Sequence, residues 1–176
     1  SARQEGQVVA AMLVSLGAAR ESRVIVAPPA APAMPAPDRC IELPFIAGLT
    51  PDFLQHFQIR YADGMPPFSG SEVPDFSGYM GFRTPPQAMS TAALIALVDT
   101  WPPSVLPMLK KPAPASSLTW TMELLDDPLS RPADTLWQYR VKTDQSSDGY
   151  GQSQATIWDG EGKAVALSRQ TFTVFA

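Results

Sequence analysis

The chain has one cysteine and one histidine in 176 residues. Cys40 therefore cannot close an internal disulfide. No apolar run is long enough to span a bilayer. Charge is sparse at 17% of residues, and the formal net charge of -4 has no basic block behind it. The only adjacent lysines, Lys110 and Lys111, sit among prolines, so no nucleic-acid partner is indicated. A secretory signal is also missing, which makes the cytoplasm the expected location. The chain opens on Ser1 and strand-like sequence instead of a methionine start, so sequence is expected upstream. What is abundant is apolar: 45% hydrophobic residues, enough for one full globular domain and part of another.

The order of signals along the chain divides it in three. Glu5-Gly6 is a turn pair, and Gln7 to Ser15 reads as the second arm of a β-hairpin. A lone hairpin is unstable, so residues 1–22 are expected to pair with a sheet elsewhere. Residues 23–44 are rich in proline and alanine, the composition of an extended, semi-rigid linker. Residues 45–176 read as one complete α+β unit. Strands are expected at Phe53–Tyr61 and Ser77–Arg83, separated by a Gly/Pro-rich loop of the length that lids and binding loops have. Ser90 or Thr91 can cap a short helix, Ala92–Asp99, that Trp101-Pro102-Pro103 ends. That helix is apolar on nearly every side and should be wrapped by other structure. Strand patterns follow at Ser117–Leu125, Leu136–Thr143, Tyr150–Trp158 and Ala164–Phe175, with turns at Asp148-Gly149 and Asp159–Gly162. One buried helix followed by an antiparallel meander is the pattern of a sheet curled around a helix, the hot-dog architecture.

Three stretches carry a more specific likeness: Leu94-Ile-Ala-Leu-Val-Asp-Thr-Trp-Pro-Pro103, Ser116-Ser-Leu-Thr-Trp-Thr-Met122 and Gly162-Lys-Ala-Val-Ala-Leu-Ser-Arg-Gln170. Over residues 45–176 the chain resembles the C-terminal half of double hot-dog acyl-CoA thioesterases of the bacterial thioesterase II type. The resemblance implies that Asp99, Ser117 and Gln170 bind an attacking water. Serine stands where the best-known members have threonine, and Ser116 is the alternative hydroxyl. It also implies that residues 1 to about 20 are the final hairpin of an N-terminal hot dog, and that the protein oligomerises. Such a trio activates water without histidine or metal, so no metal or other cofactor is implied.

The residue types suit that chemistry independently. Asp99 falls in the last turn of its helix, where the macrodipole disfavours a carboxylate by about a few tenths of a kcal/mol. Burial beside Leu97, Val98 and Trp101 would raise its pKa towards that of a general base. The plainer alternative is a surface residue that ends the helix. Ser117 can donate to and accept from a water; as a nucleophile it lacks a nearby base, because the one histidine, His56, belongs to the first strand pattern. Its plainer role is to begin a strand after a proline-rich loop. Gln170 alternates with Ala166, Ser168, Phe172 and Val174 on one strand face, and a buried amide needs partners, either a water or a bond between sheet and helix. Met80, Phe82, Trp101 and Met108 are candidate walls of an acyl slot, and each also suits plain core. His56, Gln58 and Arg60 alternate as a polar strand face. Gly149-Tyr150-Gly151 is a turn, too short for a phosphate loop.

Two other classes compete with an acyl-CoA hydrolase. A hot-dog hydratase or dehydratase would need an aspartate–histidine pair near the helix, which the position of His56 disfavours. A non-catalytic acyl-ligand-binding or assembly subunit is the stronger rival, since fold alone does not decide function. The expected partners are acyl-CoA, an N-terminal hot-dog half and further copies of the chain, the last also because unpaired hairpin strands need partners.

Overall fold

The computed structural model describes residues 1–176. Nine strands and one α-helix form in the order β1 (Ala2–Gln4), β2 (Gln7–Ala10), β3 (Ile41–Glu42), β4 (Phe57–Asp63), β5 (Phe76–Phe82), α1 (Thr91–Val98), β6 (Ala115–Leu124), β7 (Trp137–Ser147), β8 (Tyr150–Trp158) and β9 (Ala164–Val174). β1 and β2 make a separate two-stranded hairpin, and the other strands form one antiparallel seven-stranded sheet ordered β3-β4-β5-β7-β8-β9-β6. The sheet curls round α1, as in a hot dog. No helix is long and apolar enough to cross a membrane.

Helix α1 starts where Ser90 accepts a hydrogen bond from the Ala93 amide at 3.1 Å, which satisfies one of the orphan N–H groups of the first turn. It stops before Trp101-Pro102-Pro103, because the ring of Pro102 drives the preceding residue out of helical geometry. Leu94, Leu97 and Val98 are buried against the sheet, each worth about 1.5–3 kcal/mol. Ala92 is exposed and Ile95 and Ala96 are half-buried. The sheet of this chain therefore wraps one face of the helix, less than its all-round apolar character suggests.

The end of the helix is fixed by Trp101. Its ring stacks on Tyr139 at 4.6 Å and 9°, lies 5.4 Å from Phe76 and meets Tyr61 edge-on at 5.3 Å. The indole N–H reaches the Met80 sulfur at 3.1 Å. This close approach requires Gly78 beneath it. A Cβ there would lie 1.9 Å from the Arg60 carbonyl oxygen and 3.0 Å from the Trp101 ring.

Several boundaries differ from those read in the sequence. Pro51 opens a 3-10 helix over Asp52–His56, so the strand begins at Phe57; His56 is exposed at its end and does not share a strand face with Gln58 and Arg60. The second hairpin arm is regular only to Ala10, and residues 11–26 are exposed without regular structure. The proline-rich segment enters the domain before Phe45. Proline carbonyls accept from side chains on three strands, β8, β5 and β4: Trp158 to Pro29 at 2.8 Å, Tyr79 to Pro35 at 3.0 Å and Arg60 to Pro37 at 2.9 Å. Ile41–Glu42 then pair with β4 as an edge strand. The long loop before β5 is tied to the segment after α1, with the Phe68, Gly70 and Ser71 amides donating to Leu106, Leu109 and Pro107.

A buried carboxylate organises the β8–β9 turn. Asp159 accepts from the Glu161 and Lys163 amides at 3.0 and 2.9 Å and from Arg131 Nε at 3.1 Å. Arg131 also donates to Asp126 at 2.5 Å, and Lys163 meets the same carboxylate at 2.6 Å. Bonds from Lys163 and then Arg131 hold the Asp126 carboxyl well below the usual carboxylate range. A depressed carboxyl pKa stabilises the fold above the unfolded value of about 3.9, and that contribution disappears as the pH falls towards the folded value.

Replacing Gly78 with alanine should lower the unfolding free energy by about 2–3 kcal/mol, through overpacking of Trp101 and the β4 backbone, as measured by urea titration. Asp126→Asn should lower the melting temperature at pH 7 and flatten its decline between pH 4 and pH 2. An unchanged acid limb would remove this cluster from the account of acid stability.

Candidate active site

Asp99 caps the C-terminal end of α1, with φ -73°, ψ -10° and its amide bonded to the Ile95 carbonyl. The carboxylate therefore stands at the negative end of the helix, on the same turn that Trp101 holds to the sheet. By accessible area the residue is exposed on its outer side, yet its carboxyl is pushed above the ordinary range by desolvation. The cause lies on the inner side. There Asp99 borders a cavity of about 10 Å³ with Val98, Trp101, Trp120, Tyr139, Ser153, Ala155, Ser168 and Gln170. Such a volume is about what one water needs, and the lining supplies the polar partners such a water requires.

The sheet register brings the remaining groups to this point. Gln170 on β9 is flanked by Ser153 on β8 and Trp120 on β6, its direct cross-strand partners. Ser168 and Phe172 lie two residues either side of Gln170 and so on the same face. Simple alternation would put Ser117 and Trp120, three residues apart, on opposite faces. A β-bulge between Ser117 and Thr119 changes that parity: Ser117 pairs with Phe172 while Trp120 pairs with Gln170, so both face the helix. Gln170 Nε2 donates to Ser117 Oγ at 2.6 Å. This leaves Gln170 Oε1 to accept from a group in the cavity.

Asp99 and Gln170 thus share one cavity, and Ser117 joins them through Gln170 without lining it. Ser116 pairs with Thr173 on the opposite face, and its hydroxyl turns to the Ser117 carbonyl at 3.3 Å, which separates it from this cluster. Met80 is fully enclosed in the core, and Phe82 packs 5.3 Å from Phe57; neither borders the cavity. Of the expected acyl-slot walls, Trp101 alone does. Met108 lies exposed on a 3-10 turn. Trp120, Tyr139, Ser153 and Ser168 were not anticipated as site residues. For Ser153 and Tyr139 nothing local in the sequence marks them. Ser168 carries a signal in its i, i+2 relation to Gln170, whereas the bulge hides that of Trp120.

The electrostatics are those of an aromatic-walled pocket shielded from bulk solvent. Burial also pushes the Tyr139 phenol well above its ordinary value, so it stays protonated. A larger groove of about 440 Å³ lies across the outer sheet face, lined among others by Arg140, Lys142, Gln154 and Arg169. Asp99 and Gln170 do not border it.

Comparison with known proteins bears on the fold and the family. A conserved protein of unknown function with a hot dog fold from Alicyclobacillus acidocaldarius superposes with a TM-score of 0.75 at 24% identity, over 89% of this chain and 59% of that one. The acyl-CoA thioesterase II TesB2 of Mycobacterium marinum superposes with a TM-score of 0.59 at 16% identity, over 88% of this chain and 59% of that one. These likenesses define the class as hot-dog proteins. Residues 37–174 match the acyl-CoA thioesterase C-terminal domain family, and the chain belongs to that family. It spans less than two thirds of the length of these structural relatives. Among curated proteins there was no match.

Because desolvation raises its pKa, ionised Asp99 costs the fold stability above that pKa and nothing below the unfolded value. Asp99→Asn should therefore melt at the same or a higher temperature than the native protein at pH 7, with the difference vanishing near pH 3. A clear loss of melting temperature at pH 7 would make Asp99 a structural residue.

Proposed function

We propose that this chain is the water-activating part of a cytoplasmic acyl-CoA thioesterase acting on fatty acyl-CoA. The observation that carries this reading is the sharing of a one-water cavity by Asp99 and Gln170, with Ser117 hydrogen-bonded to Gln170. Family membership supports a CoA thioester as the substrate. In the proposed reaction Asp99 takes a proton from water as its oxygen attacks the thioester carbon. The carbonyl electron pair moves onto oxygen. Collapse of the tetrahedral intermediate then breaks the C–S bond, and the departing thiolate takes the proton from Asp99. Carboxylic acid and free CoA are the products. Gln170 and Ser117 serve to place the water, and this positioning is where most of the rate advantage would come from.

The cavity is far too small for an acyl chain, and its walls are aromatic core. The acyl and CoA portions therefore need surface beyond it. The long edge strand β6 is largely exposed along its length, and Leu118 and Leu124 on it are open to solvent. An unpaired apolar edge of this kind calls for a partner. In the proposed assembly an N-terminal hot-dog half and further copies of the chain supply it, residues 1–22 being the last hairpin of that half and residues 23–44 the connection.

Thiol release from a panel of short, medium and long acyl-CoAs tests the reading. Asp99→Asn should reduce kcat/KM by about a hundredfold or more. The native acid limb should be centred above the ordinary carboxylate value of about 4, with activity rising as Asp99 ionises. Retained activity in the variant would rule out Asp99 as the base. Tight acyl-CoA binding without turnover would favour the acyl-binding subunit instead.

A further inference from the structure

The cavity holds three polar side chains that the proposed reaction leaves unused, Ser153, Tyr139 and Ser168, and of these Ser168 is the one whose hydroxyl is oriented by a hydrogen bond from a neighbouring side chain. Ser168 is buried on β9, two residues from Gln170, and lines the same cavity. The Trp120 indole N–H donates to its Oγ at 2.8 Å, and this is the only hydrogen bond Ser168 makes through its side chain. A serine oxygen has one hydrogen to give and two lone pairs. With one lone pair taken by Trp120, the hydroxyl hydrogen is directed away from the indole. A buried donor left without an acceptor is costly. Ser168 also borders the larger outer groove, but its Oγ is held by the indole of Trp120, which lines the one-water cavity and not the groove. Trp120 is itself held in place as the direct cross-strand partner of Gln170.

Resting on the hydrolase reading, we propose that Ser168 donates a hydrogen bond to the attacking water, and that Trp120 is the positioning residue that aims it. The water then gives one hydrogen to the Asp99 carboxylate and the other to Gln170 Oε1, and accepts one bond from Ser168. Three of its four tetrahedral directions are occupied. The fourth, a lone pair, points at the thioester carbon. On attack the new C–O bond forms from that lone pair, and Asp99 takes the proton; Ser168 neither gains nor loses one. Its contribution is orientation.

The experiment measures kcat, KM and melting temperature for the native protein, Ser168→Ala, Ser168→Thr, Trp120→Phe and the Ser168→Ala/Trp120→Phe pair, with Asp99→Asn as the control. Ser168→Ala should lower kcat about tenfold, the scale of one hydrogen bond, with KM within twofold. Ser168→Thr, which keeps the hydroxyl, should recover most of the loss. Trp120→Phe keeps an aromatic wall but removes the N–H, so it should lower kcat by a smaller factor, and the pair should be no worse than Ser168→Ala alone. Trp120→Phe probes the same contact from its other side, so the test stands even if Ser168→Ala does not fold. An unchanged kcat in Ser168→Ala or Trp120→Phe would overturn the inference, as would multiplying losses in the pair. If Asp99→Asn still abolishes hydrolysis in that case, the hydrolase reading survives. Absence of hydrolysis in the native protein would overturn both.

Discussion

The stacking of Trp101 on Tyr139 holds the C-terminal end of α1 to the middle of the sheet, and the candidate site depends on it. Two turns of helix are too short to be stable alone. Their position comes from Leu94, Leu97 and Val98 beneath them and from the indole wedged over Gly78 at the end. Asp99 lies two residues before Trp101, so fixing the ring fixes the carboxylate. The same packing shields the inner side of Asp99 from bulk solvent, and this desolvation pushes its carboxyl up although its outer side is open.

The second determinant is the bulge in β6. Without it Ser117 would point to the outer face, and Ser116 would be the hydroxyl on the side of Gln170. One extra residue reverses the alternation, giving Gln170 both Ser117 as a hydrogen-bond partner and Trp120 as a cross-strand neighbour. Ser168, which accepts from the Trp120 indole, lines the same cavity. The site is thus assembled from a helix end, an edge strand and an inner strand. Because β6 lies at the rim of the sheet, part of the site's surroundings is open to whatever covers that edge.

The proline-rich segment has a comparable logic. Proline carries no N–H, so the segment cannot extend the sheet through its prolines, but its carbonyls remain free to accept. Trp158, Tyr79 and Arg60 supply donors on strands β8, β5 and β4 in turn. The segment therefore crosses the outer face and delivers Ile41–Glu42 to the free edge of β4.

Much of the architecture was legible in the residues themselves. The serine cap and Trp-Pro-Pro stop bounded α1 to within a residue, and the apolar alternation and Asp-Gly turn placed the last four strands, because these signals are local consequences of backbone sterics and hydrogen bonding. The same locality made Asp99 conspicuous as an acid at a helix C-terminus, and Gln170 as a polar residue on an apolar strand face. Local signals failed where distant pairing decides. The first strand begins after Pro51 has spent five residues on a 3-10 helix, Met80 lies in the core because Trp101 covers it, and the edge strand at Ile41 exists only because β4 is there to pair with. Which of Ser116 and Ser117 hydrogen-bonds Gln170, and the gathering of Trp120, Ser153 and Ser168 at one cavity with Asp99, were decided by the tertiary structure alone. A bulge is defined by the register of two strands about fifty residues apart, and no periodicity within either strand contains that register.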